Sequence, residues 1–186
     1  YLIGVIEGMP SNVFIDVDNI NSILKKRQMG YGRGDRMKIE VDEIEFISGI
    51  RNSYTLGSPI SFLIKNRDYK NWDKYMNPLS CDVESKKVLK ARPGHADLSG
   101  IIKYDFDDCR NVLERSSARE TAVRVAVGSI CMEFLKNFNI ESSSHVISIG
   151  KNFDKFKYDF DKIKESDKYP FRCLDLDVCE KIKCEI

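Results

Sequence analysis

The chain has 186 residues, 30 of them basic and 29 acidic, for a formal net charge of +1, and 42% are hydrophobic. That is enough chain to bury a sizeable core, in one domain or two small ones. The balanced charge excludes bulk attraction to nucleic acid or to an anionic membrane, and no apolar run approaches the roughly 18 residues of a membrane span, so any basic site has to be local.

Residues 1–6 are an apolar run that predicts a buried strand, turned outward by Glu7-Gly8-Met9-Pro10. A strand starting at the first residue predicts that others precede it. Asp18 is expected to cap a short helix with Ile20, Ile23 and Leu24 inside and Lys25, Lys26 and Arg27 at its end. Next come three glycines at alternate positions, Gly30, Gly32 and Gly34, interleaved with Arg33 and followed by Arg36. Such a loop lets backbone amides and guanidinium groups approach an anion closely, and it also suits a flexible surface turn. It is neither a P-loop, lacking Gly-Lys-Ser/Thr, nor a dinucleotide fingerprint.

Met37, Ile39 and Val41 alternate with Lys38, Glu40 and Asp42, which predicts a half-buried strand with the apolar residues inward. Residues 44–47 and 60–64 predict further strands of an antiparallel sheet. Residues 65–90 are polar and irregular; Tyr69, Trp72 and Tyr75 among lysines can pin a loop to the surface or stack bases. In Arg92-Pro93-Gly94-His95-Ala96-Asp97 a turn is fixed just ahead of His95, and Asp97 can orient the imidazole or compete for its ligand. Arg92 and His95 on one rigid turn suit phosphate binding and proton transfer, although a lone histidine also serves structural roles.

Residues 111–138 predict the central helix. Ala122, Ala126, Ile130, Phe134 and Phe138 form one apolar row, and Val123, Val127, Cys131 and Leu135 a second, so this helix is expected to run through the core. Ser117 and Glu120 have capping-box spacing, and Arg115, Ser116, Arg119 and Arg124 cluster around them. Hydroxyls, guanidinium groups and a helix N-terminus at one point make an anion site; a capped core helix with solvated arginines is the alternative. Beyond it, residues 144–150 read as a strand with a structural His145, residues 154–168 as solvated helix and loop, and Val178, Ile182 and Ile186 as a helix that ends without a cap, as though the chain continued. The six cysteines contain no C-x-x-C and the two histidines lie far apart, so no metal site is expected; reduced thiols and a cytoplasmic location are the simplest reading.

Three of these stretches together resemble chorismate synthase: RQMGYGRGDRM at residues 27–37, RPGHADLSG at 92–100 and RNVLERSSARETAVRVAVG at 110–128. Weaker similarity runs through IEGMPSN, ISGIRNSYTLGSPI and SHVISIG in family order. The resemblance implies an α+β fold of long buried helices against antiparallel sheets, and a carbon–oxygen lyase of the shikimate pathway. Its reaction is the 1,4-anti elimination of phosphate from 5-enolpyruvylshikimate 3-phosphate to give chorismate. Reduced FMN is the implied cofactor, with NADPH or another reductant acting indirectly. By residue match Arg27, Arg33, Arg36, Arg92 and Arg119 would hold the substrate's phosphate and carboxylates. Arg115, Ser116 and Ser117 would line the FMN site, and His95 would serve in proton transfer. The implied partners are the substrate, further copies in a homotetramer and a flavin reductase, with no nucleic acid, membrane or metal. Residues 1–186 would be a partial single domain, roughly the N-terminal half, without the family's opening Gly-Glu-Ser-His-Gly motif and inactive alone. A non-catalytic anion- or flavin-binding paralogue is the competing expectation.

Overall fold

The computed structural model describes residues 1–31, 39–113 and 116–186. In chain order its main elements are β1 (Leu2–Ile6), β2 (Ser11–Phe14), α1 (Val17–Gln28), β3 (Ile44–Ser48), β4 (Ile50–Arg51), β5 (Tyr54–Leu56) and β6 (Ile60–Ile64). These are followed by α2 (Asp73–Met76), α3 (Asp97–Tyr104), α4 (Arg110–Leu113), α5 (Thr121–Lys136), β7 (Ser148–Ile149), β8 (Asn152–Phe153), α6 (Phe160–Lys164) and α7 (Leu176–Glu185). The fold is α+β, with helices laid on antiparallel sheets of order β1-β6-β3 and β2-β5-β4 and a separate β7–β8 hairpin.

The register of the first sheet turns on Gly4, which pairs with Phe62. A Cβ at Gly4 would lie 2.3 Å from the Phe62 ring, so only glycine lets that fully buried ring close over the strand, where it meets Phe46 edge-on at 6.2 Å. Ile60, Phe62 and Ile64 point inward together, as strand alternation requires, and α1 contributes Ile20 and Leu24 to the same core. β1 is less buried than expected, with Ile3 and Val5 facing outward. The cap of α1 is Asp16, whose carboxylate accepts from Asn19 N; Asp18 sits in the first turn instead, beside the positive end of the helix dipole.

The central helix departs from expectation in two ways. The chain over 111–138 breaks into α4, a 3-10 turn at Ala118–Glu120 and α5, so the helix proper starts at Thr121. Its buried residues are Ala122, Ala126, Ser129, Ile130 and Glu133, while Val123, Val127, Phe134 and Leu135 are half-buried, and Cys131 and Phe138 are exposed. At 3.6 residues per turn each four-residue step drifts by about 40°, so a row spaced by fours rotates off the buried face, and mixed steps of three and four stay on it. α5 therefore covers the sheets with one face and leaves the other open. Glu133 on the buried face is satisfied by Asn19 Nδ2 at 2.6 Å and Lys136 Nζ at 2.7 Å.

No strand forms at residues 39–43, and there the alternation is present with its faces reversed. Glu40 and Asp42 are buried, whereas Ile39 and Val41 are 54% and 37% exposed. The expected strand at 144–150 reduces to β7, and His145 packs edge-on against Tyr158 at 5.7 Å. The C-terminal helix is capped by Asp175 and packs Val178, Cys179 and Ile182 with Cys173 in a second small core. All six cysteines are free thiols. Among the described residues no helix is long and apolar enough to cross a membrane, and no group of three or more metal-ligating side chains occurs.

Candidate active site

Arg27 stands in the last turn of α1, and its guanidinium reaches across to the entrance of α5. Nη1 donates to Asp42 Oδ2 at 2.8 Å, Nη2 to the Ala118 carbonyl and Thr121 Oγ1 at 2.9 Å each, and Nε to Thr121 Oγ1 at 3.2 Å. Arg119, in the 3-10 turn, donates through Nη1 to the other oxygen of Asp42 and through Nη2 to the Lys65 carbonyl at 2.8 Å, with Glu40 Oε2 3.2 Å from that nitrogen. Glu40 Oε2 also accepts from Arg67 N at 3.0 Å. Among the described residues, two guanidinium and two carboxylate groups thus form one network, with Asp42 joining the arginines. Burial is what makes it strong: water no longer screens the pairs.

Residues 40–42 are held against α1 by Gln28, whose Nε2 donates to the Glu40 carbonyl at 2.7 Å and whose Oε1 accepts from Asp42 N at 3.1 Å. Glu40, Asp42, Gln28 and Thr121 were not legible as site residues. Alternation put the acids on the solvent face, and only the need of buried arginines for counter-ions could have turned them inward.

The turn at residues 92–95 forms as expected. His95 N donates to the Arg92 carbonyl at 3.3 Å, and Gly94 takes φ +71°, the left-handed conformation this turn requires at its third residue. His95 is exposed. Asp97 serves Arg92 rather than the imidazole: Oδ2 accepts from Arg92 N at 3.0 Å and Nε at 2.9 Å, and Oδ1 accepts from Nη2 at 3.0 Å. These bonds, those of the side chain first, lower the Asp97 carboxyl from its ordinary 3.8 to about 2. Because the folded value lies below the unfolded one, the stabilisation is fully present above about pH 4 and is lost as pH falls toward 2. The stability gap between wild type and Asp97→Asn, measured by urea unfolding, is expected to be constant from pH 5 to 7 and to close by about pH 2.

α3 carries this turn to the rest of the site. A Cβ at Gly100 would lie 2.5 Å from Val112 of α4, so the glycine lets the two helices touch. The 65–90 segment is fastened to the same place: the Arg110 guanidinium stacks over Trp72 at 5.1 Å and its Nε donates to the Lys86 carbonyl at 2.6 Å. The aromatics here pin the loop. Ser116 Oγ donates to the Val112 carbonyl at 2.7 Å, and Ser117 Oγ accepts from Arg119 N at 3.2 Å; both serines are half-buried. The reciprocal half of the expected capping box is absent, because Glu120 instead accepts from Arg124 Nε at 2.9 Å. Arg33, Arg36 and Arg115 lie outside the described residues.

The three motifs therefore meet on the 110–121 segment: the first through Arg27 and Asp42, the second through Gly100 and Val112. This defines an α+β protein with a polar centre built on Arg27 and Arg119 and an exposed histidine on the turn ahead of α3. A family model described as "Chorismate synthase" matches residues 1–186, and the chain belongs to the chorismate synthase family. It is 57% identical over 178 residues to the chorismate synthase of Alkaliphilus metalliredigens, covering 95% of this chain and 47% of that protein. With the chorismate synthase of Caldicellulosiruptor bescii it shares 52% over 192 residues, covering 100% and 49%. A solved structure, "Crystal Structure of Chorismate Synthase", superposes with a TM-score of 0.73 at 34% identity, over 99% of this chain and 48% of that one. The chain spans about half the length of the relatives it matches.

Proposed function

We propose that this chain supplies the arginine- and histidine-bearing part of a chorismate synthase, which eliminates phosphate from 5-enolpyruvylshikimate 3-phosphate to give chorismate. The observation that carries the reading is the convergence of the three motifs on one segment, joined by the bridge from Arg27 through Asp42 to Arg119. A ligand with a phosphate and two carboxylates calls for several forked cations, and Arg27, Arg33, Arg36, Arg92 and Arg119 are assigned to it. As the carbon–oxygen bond breaks, negative charge grows on the departing phosphate, and guanidinium groups fixed in advance lower that barrier. His95, on its rigid turn, is assigned to proton transfer in this reading.

Reduced FMN is the cofactor in this reading and supplies an electron-rich flavin when bound. The half-buried hydroxyls of Ser116 and Ser117, at the turn that also carries Arg119, fit the polar part of such a molecule, and Arg115 is assigned beside them. A homotetramer, a reductase drawing on NADPH or another reductant, and a cytoplasmic location belong to the same proposal.

One observation favours the non-catalytic alternative: Arg27, Arg92 and Arg119 each already face a carboxylate of the chain itself. Anaerobic incubation of the full-length polypeptide with substrate separates the two readings. The lyase releases phosphate with chemically reduced FMN and none with oxidised FMN; absence of release from a folded, FMN-binding protein would leave binding alone.

A further inference from the structure

We propose that Asp42 is a positioning residue for this reaction: its carboxylate clamps Arg27 and Arg119 in fixed relation, and so sets the geometry in which they meet the anionic groups of the substrate. The inference rests on the chorismate synthase reading and assigns a role to a residue outside the arginine and histidine motifs. Three observations carry it. The two oxygens of Asp42 are divided, Oδ2 to Arg27 and Oδ1 to Arg119, so one buried side chain couples a guanidinium at the end of α1 to one at the entrance of α5. Without that anion the two cations would repel, and the remaining contacts of each would have to hold them against that repulsion. The segment bearing Asp42 is itself fixed, since Gln28 grips its backbone from α1.

The third observation separates a poised network from a closed one. Arg119 Nε and Glu40 Oε1 are buried and have no hydrogen-bond partner among the described residues. A network that served packing alone would be expected to satisfy both, because a buried donor or acceptor without a partner is costly. Arg119 thus keeps a donor uncommitted while its two terminal nitrogens are held by Asp42, Glu40 and the Lys65 carbonyl. Asp42 fixes the guanidinium plane, and with it the direction in which that remaining N–H points.

The test uses the full-length protein with Asp42→Asn, which keeps the shape and removes the charge, and Gln28→Ala, which loosens the segment and leaves every charge in place. Positioning predicts that kcat/KM falls about tenfold or more in Asp42→Asn and about threefold or more in Gln28→Ala, with the circular dichroism spectrum and reduced-FMN affinity unchanged. Binding of inorganic phosphate, read by calorimetry, is expected to weaken in Asp42→Asn. Tighter phosphate binding would overturn the proposal, since Asp42 would then be a competitor for the arginines. So would unchanged kcat/KM per folded molecule with a lower melting temperature, the mark of a merely structural pair. Should Asp42→Asn fail to fold, Gln28→Ala decides by the same readings. A wild-type protein without turnover would remove the lyase reading, and phosphate binding by the variants would still decide the role of Asp42.

Discussion

Arg119→Leu is expected to destabilise the protein by about 3–5 kcal/mol, the typical cost of removing one partner from a buried ion pair. The size follows from what is left behind. Glu40 loses its guanidinium, Asp42 keeps only Arg27, and both carboxylates remain buried where water cannot replace the lost donors. Urea unfolding reads the effect as a fall in midpoint at unchanged slope. The triple change Arg119→Leu, Glu40→Gln, Asp42→Asn is expected to recover part of the loss, because the unpaired charges go with it. A loss below about 1 kcal/mol for Arg119→Leu would mean that the pair behaves like an exposed one and that water reaches the carboxylates.

If the proposed reading holds, His95→Ala is expected to lower kcat of the full-length protein by about 10²- to 10⁴-fold, the usual range for a positioned proton-transfer group. Its effect on stability should stay within about 0.5 kcal/mol, since the side chain is exposed and the turn is held by the Arg92 carbonyl and Gly94. This separation of activity from stability is what marks His95 off from Arg119. If kcat stayed within a few-fold of wild type, the imidazole would carry no proton in the rate-limiting step.

The parts of the fold that were legible are those where one local rule acts alone. Ile60, Phe62 and Ile64 alternate without competition and form a core strand, and the Pro-Gly pair sets the turn ahead of His95. α3 was missed because its opening position, Ala96, makes no side-chain cap and Gly100 interrupts it; what stabilises it is packing on Val112, a contact between motifs that local sequence does not reveal. The reversed faces of Glu40 and Asp42 have the same origin. Alternation correctly put them on one side, and two arginines, one before and one far beyond them in sequence, decided which side was inside. α5 shows the intermediate case: its apolar character was plain, but its buried face includes Ser129 and Glu133, polar residues satisfied by the Val125 carbonyl and by Asn19 and Lys136. Of the candidate site residues, Arg27, Arg92, Arg119, Ser116, Ser117 and His95 were visible through the motifs. The acids that organise the arginines were not, because a carboxylate's burial depends on a partner in space.

The measurement that tests the account most directly is an anaerobic single-turnover experiment on the full-length protein with reduced FMN and 5-enolpyruvylshikimate 3-phosphate, following phosphate, chorismate and the flavin spectrum together. The account predicts that phosphate and chorismate appear in equal amounts and that the flavin ends the turnover reduced, as a redox-neutral elimination requires. Phosphate without chorismate, or flavin oxidised in step with phosphate release, would contradict it.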